Sequence, residues 1–186
     1  MKKNQIYFLL VAFMCLSQLS CDKDDPEVPN EEELITTLTY TLSPNGGGDP
    51  VVFTFRDLDG DGGDDPIIQG GTLAANQSYV GRVEFLNEAE IPAEDITEEV
   101  EEESVDHQVF FSSSLSGLSV TYADTDDNGN RLGLVTNLTT SSAGNGILTI
   151  TLRHEPDKSA AGVSSGDISN AGGSTDVEAM FTVNVQ

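Results

Sequence analysis

The sequence predicts an all-β fold, an antiparallel sandwich of immunoglobulin-like type, and three observations carry that expectation. Apolar residues recur at every second position in seven separate rows. Clusters of Asn, Gly, Ser and Asp stand between the rows, where turns are needed. No long stretch of helical spacing intervenes, so the rows must pair with one another and bury one face of each sheet.

The first row is Thr36, Leu38, Tyr40 and Leu42, with Thr37, Thr39 and Thr41 on the opposite face. Val51, Phe53 and Phe55 alternate with Val52, Thr54 and Arg56, and Tyr79, Val83 and Phe85 share a face across Gly81. His107, Val109 and Phe111 form the fourth row, and Leu118, Val120 and Tyr122 the fifth. Leu148, Ile150 and Leu152 follow, then Phe181, Val183 and Val185. One segment breaks the pattern. Over residues 91–104, Pro92 near the start, acids in the first turn and Ile96 and Val100 at i, i+4 predict a short acidic helix or helical crossover. From Glu88 to Asp106 ten of nineteen residues are acidic and none is basic, so repulsion keeps much of the segment in water. It reads either as a docking face for a cationic partner or as a solvated connection. Residues 143–146 and 159–173 are Gly/Ser/Ala-rich loops without a motif.

The N-terminus carries an address. Lys2 and Lys3 precede an uninterrupted apolar run of 11 residues, 6–16. That run is too short for a bilayer, which needs roughly 20 apolar residues, and it fits a signal-peptide core. Leu19-Ser20-Cys21 follows and resembles the lipobox of bacterial lipoproteins, although Gln18 departs from the usual apolar residue. Residues 1–20 are therefore expected to be a lipoprotein signal, with Cys21 lipidated; the alternative is an ordinary secretory signal. Cys15 leaves with the signal and Cys21 is consumed by acylation, so no thiol remains for a disulfide or a thiolate site. Lys23, Asp24 and Asp25 resemble the surface-export signal of Bacteroidota lipoproteins, the alternative being a plain polar tether. These features predict lipid anchoring in the outer membrane at the cell surface, with the periplasmic face as the other option. Residues 21–33 form an acidic tether poor in apolar side chains, and residues 34–186 a single domain. Loss of Lys2 and Lys3 takes the formal charge from −24 to −26. Such a chain repels nucleic acid and anionic lipid and attracts cations. Membrane contact is expected through the anchor alone; the oligomeric state is open.

Asp57, Asp59 and Asp61, followed by Gly62, match the first half of an oxygen-ligand calcium loop, with Asp64 and Asp65 as further candidates. Asp124, Asp126 and Asn128 repeat the spacing. Position 12 of each loop is Ile68 or Val135 in place of the bidentate Glu, which excludes an EF-hand. The alternatives are a solvated turn for the first loop and a hairpin tip at Asn128-Gly129 for the second. His107 and His154 are the sole histidines, each on an apolar row, at a strand start and a strand end. If those ends meet, two imidazoles with Asp106 or Glu155 form a zinc or copper site. The alternative is a hydrogen-bonding role at a strand edge. No nucleophile elbow is present, and no spacing selects a carboxylate pair for hydrolysis.

The Thr-rich first row, the Asp57 loop with Gly62-Gly63-Asp64-Asp65-Pro66, Asp106-His107-Gln108 and residues 152–158 (Leu-Arg-His-Glu-Pro-Asp-Lys) together resemble a group of small flavobacterial lipoproteins. The resemblance covers nearly the whole chain. Members often carry the label "type 1 periplasmic binding fold superfamily" and have no settled activity. That label implies two α/β lobes and roughly twice this length, whereas the residues themselves imply one all-β domain.

The sequence thus predicts a non-enzymatic binding or capture lipoprotein, possible partners being an outer-membrane transporter or a cationic ligand. A structural surface protein with calcium-braced loops is the alternative, and a carboxylate-dependent hydrolase a third. The anchor is testable first. Cys21→Ala should block maturation and release or strand the protein; if that variant fractionates with membranes at the parental size, Cys21 is not lipidated.

Overall fold

The computed structural model describes residues 34–60 and 63–186. Cys21, Lys23, Asp24 and Asp25 lie outside these residues, as does Asp61 of the first acidic loop.

The seven alternating rows fold as strands, and four further strands join them. In chain order these are β1 (Thr37–Pro44), β2 (Val51–Arg56), β3 (Ile67–Gln69), β4 (Gly71–Leu73), β5 (Ser78–Asn87), β6 (Glu94–Asp95), β7 (His107–Ser113), β8 (Leu118–Tyr122), β9 (Val135–Thr140), β10 (Gly144–His154) and β11 (Ser174–Val185). Among the described residues they form two sheets. One runs β3-β2-β1-β5-β9-β8 with β6 paired to β5, and the other runs β4-β11-β10-β7. All pairings are antiparallel except β4 with β11. The fold is therefore the all-β sandwich that the alternation predicts, with more strands than a seven-strand immunoglobulin domain. The two α/β lobes of the superfamily label are not present among the described residues.

β3, β4 and β6 escape a period-two reading because two or three residues cannot show alternation. The acidic segment does contain a helix, α1 (Ile96–Glu102), shorter than its pattern suggests. Pro92 lies before it, and the N-cap is Asp95, whose carboxylate accepts the Thr97 amide hydrogen at 3.0 Å. Ile96 and Val100 are buried as their i, i+4 spacing requires, and the Thr97 hydroxyl docks the helix on the Phe85 backbone.

The core lies between the inner faces. Leu38, Tyr40 and Leu42 from β1 meet Ile150, Leu152 and Phe181 from the second sheet, all fully buried. Phe53 and Phe181 join the sheets edge to face, with ring centroids 5.7 Å apart, and Tyr40 meets Phe111 at 5.6 Å. Burying the Tyr40 phenol leaves a hydroxyl to satisfy, and the Thr136 hydroxyl does so at 2.8 Å. Burial pushes the phenol well above its ordinary ionisation range. Gly81 makes this possible: a Cβ there would stand 2.5 Å from the Tyr40 oxygen and 2.4 Å from the Thr136 hydroxyl.

Gly81→Ala should therefore lower unfolding stability by about 1–3 kcal/mol through overpacking. Gly46→Ala, in open space, should change it by less than about 0.5 kcal/mol. Urea unfolding checks both; equal midpoints for Gly81→Ala and the parent would remove the packing argument.

Candidate metal centre

Strand register builds the site. β7 begins at His107 and β10 ends at His154, and the antiparallel ladder sets these two residues directly opposite each other. Directly paired residues share a face, so both imidazoles point to the core side, with ring centroids 4.6 Å apart.

The third member comes from β11, on the other side of β10. Leu152 pairs with Val177, but Arg153 pairs with Thr175, so Asp176 is an extra residue in the ladder. Such a β-bulge breaks the alternation locally and re-aims a side chain. Without it Asp176 would share the outward face of Glu178 and Met180; with it, the carboxylate turns in beside Val177. Two features hold the bulge. The Arg153 guanidinium donates to the Gly172 and Gly173 carbonyls and to the Thr175 hydroxyl. Gly173, at φ +66°, lies against the His154 carbonyl, where a Cβ would meet the oxygen at 2.0 Å.

One Asp176 oxygen lies 3.9 Å from His107 Nε2 and the other 3.8 Å from His154 Nδ1. The three side chains are 1% (His107), 6% (His154) and 2% (Asp176) exposed. All three donor atoms lie within 4.8 Å of one another. Tetrahedral ligands at the usual zinc distances stand roughly 3.4 Å apart, so small rotations would close the set on an ion. His107 Nδ1 faces the Glu103 carbonyl at 3.2 Å, and a carbonyl only accepts. In the neutral ring Nδ1 therefore carries the hydrogen and Nε2 turns its lone pair towards Asp176, the second-shell arrangement that metal-binding histidines use. Burial pushes the His107 imidazole below its ordinary 6.5, and the neighbouring His154 adds to this against the pull of Glu103 and Asp106.

Asp106 and Glu155, the acids nearest the histidines in sequence, are exposed; the carboxylate that meets the rings is Asp176. Their contribution is through the backbone, with the Glu155 amide donating to the Asp106 carbonyl at 2.6 Å. Nothing in the sequence marked Asp176, because it is out of phase with the Val177, Ala179, Phe181 row.

The acidic loops hold their carboxylates differently. Asp57 accepts the Gly60 amide hydrogen and Asp59 that of Asp64, each at 2.9 Å, while Asp64 and Asp65 are exposed. In the second loop Asp124 accepts from the amides of Gly133 and Val135. Asp126 is buried and accepts from the amides of Asn128 and Asn130, and from the Lys158 ammonium at 2.8 Å. Burial alone would raise the Asp126 carboxyl, but Lys158 and Asn130 overcome it and hold it below the usual range. Asn128 is exposed, and Asn128-Gly129 forms the tip between β8 and β9, with Gly129 at φ +84°. Among the described residues, the set of three His, Cys or acidic residues close enough to share an ion is His107, His154 and Asp176.

Charge is polarised towards this site. Among the described residues, all acids except Asp49, Glu84 and Glu178 lie in the connections at the His107 and His154 end of the sandwich, or in the bulge itself. That end attracts cations.

No protein-family profile matches the chain, and no curated protein sequence matches it. Among solved structures, domains 4 and 5 of the S-layer protein SbsC superpose over 78% of this chain and 75% of that one, at 12% sequence identity and a TM-score of 0.31. A superposition at that score bears on neither fold nor function, so the reading of the site rests on its own geometry.

Proposed function

We propose that the chain is a lipid-anchored cell-envelope protein, displayed at the cell surface, whose sandwich is a non-enzymatic binding module for a transition-metal ion. The observation that carries this reading is the meeting of His107, His154 and Asp176 on one buried face. Two imidazoles and one carboxylate form a donor set suited to zinc or copper and unsuited to calcium, which takes oxygen ligands. Zinc imposes no geometry of its own, and three protein ligands leave a fourth position for water or an incoming group. The acidic loops around the site raise the local cation concentration. A surface lipoprotein that collects such an ion suits delivery to an outer-membrane transporter. The calcium-braced structural reading has less to draw on, because Asp57, Asp59, Asp124 and Asp126 already accept backbone or lysine hydrogens.

Zinc titration of the purified chain should give one ion per molecule. His154→Ala should abolish uptake. Asp176→Asn should weaken it by more than about 100-fold, the upper range for loss of a mere second-shell partner. Uptake that persists unchanged in His154→Ala would sink the proposal.

The pH dependence follows from His107. Its folded-state value lies below the ordinary 6.5, so well above pH 6.5 the ring is neutral in both folded and unfolded chains. As pH falls below that value, the unfolded chain takes up a proton that the fold refuses, and stability is lost progressively. Protons then also compete with the metal. Zinc affinity should be flat from pH 7 to 8 and fall below pH 6.5, and metal-free unfolding should show the same window. A rise in either quantity on acidification would contradict the buried neutral ring.

A further inference from the structure

The chain closes over the site through a turn that one side chain fastens. Residues 103–106 leave α1 and pass across His107, with the Asp106 amide donating to the Glu103 carbonyl at 2.9 Å. Lys158 ties this turn down. Its ammonium, from the connection between β10 and β11, donates to the Ser104 carbonyl at 2.6 Å and to Asp126 Oδ2 at 2.8 Å. The Lys158 side chain is 6% exposed and that of Asp126 is fully buried. Asp126 is itself anchored in the β8–β9 hairpin by the Asn128 and Asn130 amides. A single buried cation thus joins three connections beside the site: the turn after α1, the hairpin, and the segment following His154.

The three ligand side chains are 6% exposed or less. Some part of the surround must open, and a surface turn opens far more cheaply than a strand ladder. The Glu103 amide ends α1 on the Glu99 carbonyl, and the remaining ties on this turn beside Lys158 are the His107 ring and the Glu155 amide, which belong to the site and its backbone. Lys158 is the side-chain tie that reaches the turn from another connection and touches neither histidine.

We infer that Lys158 is a latch: by pinning the turn at residues 103–106 to the β8–β9 hairpin, it sets the rate at which the metal ion enters and leaves the His107, His154 and Asp176 site. This rests on the metal reading above and assigns its kinetic control. Lys158 is a positioning residue and touches no ligand atom. Because the same opening serves entry and exit, loosening the latch speeds both and leaves the affinity unchanged.

The test uses the purified chain with zinc as the probe, loading followed by stopped flow and release by transfer to a chromophoric chelator in excess. Lys158→Met, which keeps the length of the side chain, should bind one zinc with parental affinity and both load and release about tenfold faster. Faster exchange of the Asp106 amide hydrogen should accompany this. Val183→Ala, a core change away from the site, controls for general loss of stability and should release zinc at the parental rate. Equal release by Lys158→Met and the parent overturns the latch alone. Equal acceleration in Val183→Ala also overturns it, since escape would then go through global unfolding. If Lys158→Met does not fold, Asp126→Asn keeps the ammonium, loosens its anchor and is read by the same criteria. If the parent takes up no zinc, the metal reading fails and the latch with it.

Discussion

Between Leu152 and Arg153 the ladder joining β10 to β11 takes in one residue too many on the β11 side, and the position of Asp176 follows from it. In a regular ladder the alternation set by Val177, Ala179 and Phe181 would carry Asp176 to the outer surface. The bulge turns it inward, beside two imidazoles that the pairing of β7 with β10 has already set side by side. A carboxylate against two rings in an otherwise apolar interior carries a desolvation cost, which a bound cation would offset. Arg153 and Gly173 hold the irregular backbone, so the local exception is built from specific residues and is not slack in the sheet.

The sandwich that presents this site is held without disulfides, since residues 34–186 hold no cysteine. The aromatic contacts Phe53–Phe181 and Tyr40–Phe111 join the sheets, and Gly81 admits the Tyr40 phenol to its buried partner. Burial of each such side chain contributes on the order of 1.5–3 kcal/mol before entropy is counted. The core runs continuously from the far end, around Leu42 and Val185, to Leu38, Val109 and Leu152 just below the histidines. The site is therefore a polar cap on an apolar core, and the ring orientations inherit the rigidity of three adjacent strands.

Electrostatics divides the molecule unequally. Cations are few, and their placement matters more than their number. Arg56 pairs with Glu88 at the surface, where both side chains are substantially exposed, at 41% and 30%, and such a pair contributes less than about 1 kcal/mol. Lys158 and Asp126 are a different case, because both are buried and loss of one partner strands the other, at a cost of about 3–5 kcal/mol in comparable sites. In the second acidic loop the Lys158 ammonium is the counter-ion of the buried Asp126 carboxylate. The physical requirement is a cation to relieve a buried carboxylate, and the chain supplies its own.

Much of this was legible in the residues because burial on one face of a strand has a local period. The rows at Leu38, Phe53, Val83, Val109, Val120, Ile150 and Val183 became strands, Ile96 and Val100 became the buried face of α1, and Asn128-Gly129 became a hairpin tip. The histidines stood out by scarcity and by their places at strand ends. The short strands β3, β4 and β6 carried too few residues to show a period. Asp176 and Lys158 were illegible for a deeper reason. Which residue faces another across a sheet is decided by register between segments far apart in the chain, and a slip of one residue exchanges inside for outside. Sequence alone determined that two histidines would lie on apolar rows; only the tertiary structure decided that the acid between them is Asp176 and that the cation beside them is Lys158.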